Sequence, residues 1–169
     1  MSIAQSLLPE LDMEMAGTRK TLERIPADKF DFRPHPKSFT MISLATHITN
    51  MLGWGRDTLK SDSFDVAPVG GEPYKEDPAA SVADLLKKFD KNLAEFREAL
   101  AGASDADFMA NWSLLSGGQT IFTMPRIACI RGMILNHLIH HRAQLTVYLR
   151  MCDVPVPALY GPSADESGM

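Results

Sequence analysis

The sequence predicts an all-α fold: a four-helix bundle with a long crossover between helices two and three and a small hairpin before helix four. Three observations carry this. Apolar residues recur at three- and four-residue steps in four separate segments, which is the helical period. Proline- and glycine-bearing stretches that interrupt a helix separate those segments. At 169 residues with 45% apolar side chains, the chain can build one core without disulfide staples, and 11 Gly and 11 Pro are too few for a low-complexity chain. Residues 1–169 are read as a single helical domain in which 155–169 form an irregular C-terminal tail.

The first stripe is Ala4, Leu8, Leu11, Met15, Thr18, Leu22 and Ile25, followed by a proline-containing link around 26–39. The second follows the turn-rich PHPKS, with Ser38 or Thr40 as its cap, and runs Leu44, His47, Met51, Trp54, Thr58. SDSFDVAPVGGEPYKEDPAA comes next: about twenty residues with three prolines, long enough to cross a bundle rather than turn back tightly. The third stripe is Val82, Leu85, Phe89, Leu93, Phe96 and Leu100, with Ser81 as N-cap and a stop before Gly102. In NWSLLSGGQTIFT, residues 111–123, Gly117-Gly118 between apolar runs reads as the hairpin. The fourth stripe follows Pro125 and runs Ile127, Ile130, Ile134, His137, His141, Leu145, Tyr148. Pro155 and Pro157 then forbid helix, so the tail is expected to lie across the bundle surface and to fray at its end.

Charge and cysteine usage limit the partners. With 17 basic against 21 acidic residues, net −4, the chain lacks the concentrated cationic face of a nucleic-acid binder, although a local basic patch is still compatible with these counts. No run of 18 apolar residues suggests a membrane span, and the start has no basic n-region, its apolar run being only Leu7-Leu8 before Pro9. Cys129 and Cys152, on or beside one helix, would stand roughly 35 Å apart at ~1.5 Å per residue, too far for a disulfide. They read as buried helix thiols, and a cytoplasmic location without nucleic-acid or membrane partners is expected.

Histidines interrupt two of the four stripes. His137 and His141, four residues apart, share a helix face and can grip one cation, and His47 sits on the inward stripe of helix two. Three neutral imidazoles with a fourth position for water describe an open metal site. The alternative for each is a core histidine bonded to the backbone or a neighbour, but one shared cation resolves three buried imidazoles together. No Glu follows His137 as in a zincin motif, and imidazole suits zinc, nickel, copper and iron alike. His140, rotated about 100° from His141, points to a flank. His35, between Pro34 and Pro36, belongs to a turn.

Three stretches, RPHPKSFTMISLATHI at 33–48, NHLIHHRAQLTVYLR at 136–150 and PVPALYGPSADE at 155–166, resemble the DinB-like (DinB/YfiT) superfamily over essentially the whole chain. The resemblance implies a four-helix bundle with a long crossover and often a homodimer. It also implies a divalent metal, zinc or nickel being the working expectation, held by His47, His137 and His141. Some relatives are thiol transferases or thiol-dependent isomerases. The expected function is therefore a metal-dependent thiol S-transferase, or related small-molecule enzyme, joining a small-molecule thiol to an electrophile. The competing expectation is a non-catalytic metal- or ligand-binding stress-response protein. No Ser-His-Asp arrangement or carboxylate pair is visible, so no catalytic residue is assigned beyond the metal centre. Met51 and Trp54, one and two turns beyond His47, are expected to line a substrate pocket. Phe122 and Arg142 are weaker candidates for substrate contact.

Overall fold

A computed structural model of the chain describes residues 1–167. Four long helical segments appear where the stripes place them. The first, α1, spans Ile3–Leu22 and starts on a capping box in which Ser2 Oγ accepts from Gln5 N and Gln5 Oε1 accepts from Ser2 N. A single 3₁₀ turn, Ala27–Lys29, precedes α2, Met41–Lys60. Of the two cap candidates it is Thr40 that accepts from Ser43 N, at 3.2 Å. Ser81 caps α3, Val82–Gly102, by accepting from Asp84 N at 3.1 Å. This helix runs through Gly102 rather than stopping before it.

Two features go beyond the expected four helices and hairpin. A short helix, α4, covers Asp105–Met109 after α3. The hairpin is part of a three-stranded sheet: β2, Asn111–Ser116, pairs antiparallel with β3, Gln119–Pro125, and β1, Ser63–Asp65, runs parallel to β2 from within the crossover. Gly117 and Gly118 turn the hairpin with φ of 60° and 75°, a region in which only glycine is unstrained. Asp65, at the end of β1, accepts from Ala67 N and from the N–H groups of both turn glycines, tying the crossover to the hairpin tip.

The last helical segment is continuous but not uniform. It begins as α5, Arg126–Cys129, widens into a π-helical stretch over Ile130–Asn136, and continues as α6, His137–Met151. In the core, α2 lies against α3 and α6, and α1 against α3 and α6. Leu11, Met15, Leu44, Ile48, Met51, Phe89, Phe96 and Leu145 are fully buried at the centre. At Gly55 α2 and α3 come close: a Cβ there would stand 2.6 Å from the Phe96 ring.

The tail crosses the bundle surface and is pinned along its described length. Arg24 donates to Pro155 O at 3.0 Å and pairs with Glu166, while Asp165 pairs with Arg150 and accepts from Val156 N. Beneath it Arg142 and Glu14 form a buried ion pair at 2.7 Å, and Tyr160 from the tail donates to the same carboxylate. Both cysteines are free thiols; Cys129 is buried, but Cys152, at the C-terminal cap of α6, is only half-buried rather than buried as expected. Among the described residues no helix is long and apolar enough to cross a membrane.

Candidate metal centre

The stripe of α2 and the face of α6 meet at three imidazoles. One ring nitrogen from each of His47, His137 and His141 lies within 4.8 Å of the others. The ring centroids are 4.6 Å apart for His137–His141, 4.8 Å for His47–His141 and 5.3 Å for His47–His137. His140 and His35 stay outside the cluster. His140 is exposed, and His35 Nδ1 accepts from Lys37 N in its turn.

What holds the rings is an outer layer of acceptors, one for each Nδ1. Glu76, from the crossover, places Oε2 3.0 Å from His47 Nδ1. The Met133 carbonyl lies 3.2 Å from His137 Nδ1, and Gln144 Oε1 lies 2.7 Å from His141 Nδ1. The amide nitrogen of Gln144 faces His140 Nε2 at 3.1 Å, which sets the orientation of that amide. With three acceptors outside, the bonding pattern assigns the hydrogen of each ring to Nδ1 and turns three Nε2 lone pairs inward. His137 and His141 bring theirs within 2.9 Å of each other, a repulsive approach for two lone pairs that a shared cation relieves. Acceptors on the outer nitrogen are the usual device for orienting histidine ligands. The donor set fits a divalent ion on this ground.

The local backbone contributes to the arrangement. In the π-helical stretch, bonds reach back five residues instead of four, and such segments recur at functional sites. At the end of the stretch the His137 N–H bonds Ile134 O, three residues back. The Met133 carbonyl, within the same stretch, lies against the His137 ring.

For His137 and His141 the electrostatics favour the neutral ring. Burial lowers the His137 and His141 pKa values below the ordinary imidazole value. Glu76 is half-buried, which by itself would raise its pKa, but hydrogen bonds from His47, Asn50 and Tyr74 outweigh this and leave it lowered. Tyr74, pushed up to about 12 chiefly by burial, remains a phenol and donates to Glu76. Trp54 Nε1 donates to the Tyr74 oxygen at 2.9 Å, which completes a chain from Trp54 through Tyr74 and Glu76 to His47.

These motifs sit in the setting of a known family, whose model, the DinB superfamily, matches residues 10–145. The chain belongs to the DinB superfamily. Its fold is similar to that of a DinB-like protein from Bacillus cereus, with a TM-score of 0.70 at 24% identity over 94% of this chain and 98% of that one. It is also similar to YjoA, a DinB-like protein from Bacillus subtilis, with a TM-score of 0.68 at 16% identity over 90% of this chain and 96% of that one. No curated protein sequence matches the chain.

Beside the triad of this DinB protein lies a cavity of about 260 Å³ between α2, the sheet and the π-helical stretch, and His137 is part of its wall. Trp54 and Phe122 line it. Met51 does not, being fully buried in the core. Arg142 is likewise turned away from any substrate, because its guanidinium is spent on Glu14 beneath the tail. Phe64, Tyr74 and Trp112 line the cavity without having been singled out in the sequence. Their one legible signal is the aromatic content of the crossover and the hairpin. Glu76 gave no signal at all, as an acidic residue in an aperiodic stretch.

Proposed function

We propose that this DinB protein is a divalent-metal-dependent thiol S-transferase, with zinc or nickel held by His47, His137 and His141. The observation that carries the reading is the convergence of three Nε2 atoms, each ring braced at Nδ1 by a separate acceptor. A bound divalent ion with an open position would stabilise a thiol substrate as thiolate near neutral pH. The chain's own part is orientation and exclusion. Glu76, Gln144 and the Met133 carbonyl fix the rings, and the apolar wall beside His137 keeps water from the reacting groups. In the transfer, the sulfur forms a bond to carbon as the bond from that carbon to its leaving group breaks. The leaving group departs with the electron pair, and the thiol proton goes to solvent. A homodimer belongs to the same reading, and light scattering should give twice the 18.6 kDa chain mass.

The test has two stages. Metal analysis of protein expressed with zinc and nickel available should find near-stoichiometric ion, and His137→Ala should lose it. A panel of cellular thiols is then assayed with electrophiles, using His137→Ala as control. Stoichiometric metal with no metal-dependent turnover on any thiol would replace the transferase by a non-catalytic metal-binding protein. Absence of metal would remove both.

A further inference from the structure

The wall of the cavity beside His137 is mostly apolar and rich in aromatic rings, with both tryptophans of the chain, Trp54 and Trp112, together with Phe64, Tyr74 and Phe122. Apart from Trp112 Nε1, the polar atoms of these and neighbouring residues are already engaged. Trp54 Nε1 donates to Tyr74, Tyr74 donates to Glu76, and the Thr58 hydroxyl donates to the Trp54 carbonyl at 2.8 Å. Asp57, the one carboxylate in the lining, is held by Arg56 at 2.7 and 3.0 Å. Trp112 Nε1 is the exception, buried with no hydrogen-bond partner among the described residues, and with that atom enclosed the residue presents ring carbon. No lysine or arginine lines the space. A charged or strongly hydrated ligand would therefore lose its water here and gain no partner.

Size narrows the class further. An apolar cavity of ~150 Å³ holds benzene. At about 260 Å³ this one takes a single ring with a short substituent, or a compact two-ring body. It is too small and too apolar for a polar, peptide-like thiol. His137 is the only member of the triad in its wall, and Trp54 meets His47 edge-on at 5.2 Å, so an occupant lies beside the point where the Nε2 atoms converge rather than on it.

We infer that this cavity is the binding chamber for the electrophilic co-substrate, an uncharged, ring-sized apolar molecule such as a benzylic halide. The inference rests on the transferase reading for the co-substrate's role, while the chamber's selectivity stands on its lining. The sulfur attacks the benzylic carbon, and the halide leaves with the electron pair of the broken carbon–halogen bond.

Unreactive probes test the chamber separately from the chemistry. Because both tryptophans line the cavity, their emission reports its occupancy. Benzyl alcohol, titrated with and without zinc, should change that emission saturably, and benzoate of similar size should bind at least about tenfold more weakly. Val66→Phe, which fills the cavity from the end of the crossover strand, should weaken benzyl alcohol about tenfold or more while leaving zinc affinity within about twofold. Should Val66→Phe not fold, Phe122→Ala takes its place: it opens the wall and should shift preference from benzyl alcohol towards 1-naphthylmethanol. Non-saturable binding, equal affinity for benzoate, or indifference of the folded variant overturns the chamber. The transferase reading then stands or falls on its own thiol assays with polar electrophiles. Saturable, variant-sensitive probe binding without any thiol transfer overturns that reading and keeps the chamber as a ligand site.

Discussion

Glu76 and His47, twenty-nine residues apart and on different elements, are joined by a 3.0 Å contact between Oε2 and Nδ1. The crossover thus supplies the brace for the first histidine, as the π-helical stretch supplies that of His137 through Met133 O and α6 that of His141 through Gln144. A carboxylate on the outer nitrogen fixes the tautomer and raises the basicity of the inner one. Glu76→Ala should therefore weaken metal binding about 10- to 100-fold with little change in helix content. Glu76→Gln, which keeps an acceptor oxygen, should lose less. Competition against a chelator of known affinity measures both, and equal affinity of wild type and Glu76→Ala would remove Glu76 from the site.

Arg142 is next to His141 in sequence but serves a different face of the helix, the one that meets α1. Its ion pair with Glu14 is almost wholly enclosed, with 2% and 6% of the two side chains exposed. Breaking such a pair from one side leaves a buried charge and costs about 3–5 kcal/mol. Arg142→Met should lose stability on that scale in urea unfolding. Arg142→Met with Glu14→Leu should recover most of it, because an apolar pair of similar volume carries no stranded charge. A double variant no more stable than the single one would assign the loss to packing rather than charge.

Two glycines predict opposite signs for the same substitution. At Gly55 a Cβ would meet three Phe96 ring atoms at 2.6–2.9 Å, and both residues are buried where α2 and α3 approach. Gly55→Ala should destabilise by about 1–3 kcal/mol, and Phe96→Leu added to it should relieve part of the strain. At Gly132, on the exposed side of the π-helical stretch, a Cβ meets nothing within 4 Å. Gly132→Ala should stabilise by about 0.4–1 kcal/mol by restricting the unfolded chain. Chemical denaturation of the two variants side by side checks both signs.

The parts of this molecule that were legible in its sequence are those governed by local period. The four stripes, the Ser81 cap, the Gly117-Gly118 turn and the His137–His141 spacing all follow from steps of three, four or two residues. Period places a residue inward without telling which layer it enters. Met51, one turn beyond His47, ends in the core, while Trp54, nearly two turns on, reaches the cavity. Contacts made across the fold have no such signature. Glu76 reaches His47 only because the crossover folds back over α2, and β1 is a three-residue strand, SFD, that becomes a strand by pairing with the hairpin. The π-helical stretch was illegible for another reason: its apolar spacing is that of an ordinary helix, and only the hydrogen-bond register differs.

Asp65 is where the crossover and the hairpin are fastened, and its protonation is the point at which acid can release them. Its carboxylate accepts from Ala67 N at 2.9 Å, Gly117 N at 3.1 Å and Gly118 N at 2.7 Å. The Ala67 bond is the largest influence on its pKa, and together these bonds hold it below the ordinary carboxylate value of 3.8. A carboxyl with a depressed folded-state pKa contributes stability that is complete above its unfolded value. That contribution fades as pH falls through the folded value. Wild type should thus be stabilised relative to Asp65→Asn from neutral pH down to about pH 5, and the difference should shrink progressively below about pH 4. Asparagine keeps one acceptor oxygen but loses the charge, so the comparison isolates the ionised form. Melting temperatures of the two proteins between pH 7 and pH 2.5 measure it, with emission from Trp112 in β2 following the sheet itself. A difference that stayed constant across that range would mean that the hairpin is held by its strand pairing alone, and that the three N–H bonds to Asp65 add nothing that depends on its charge.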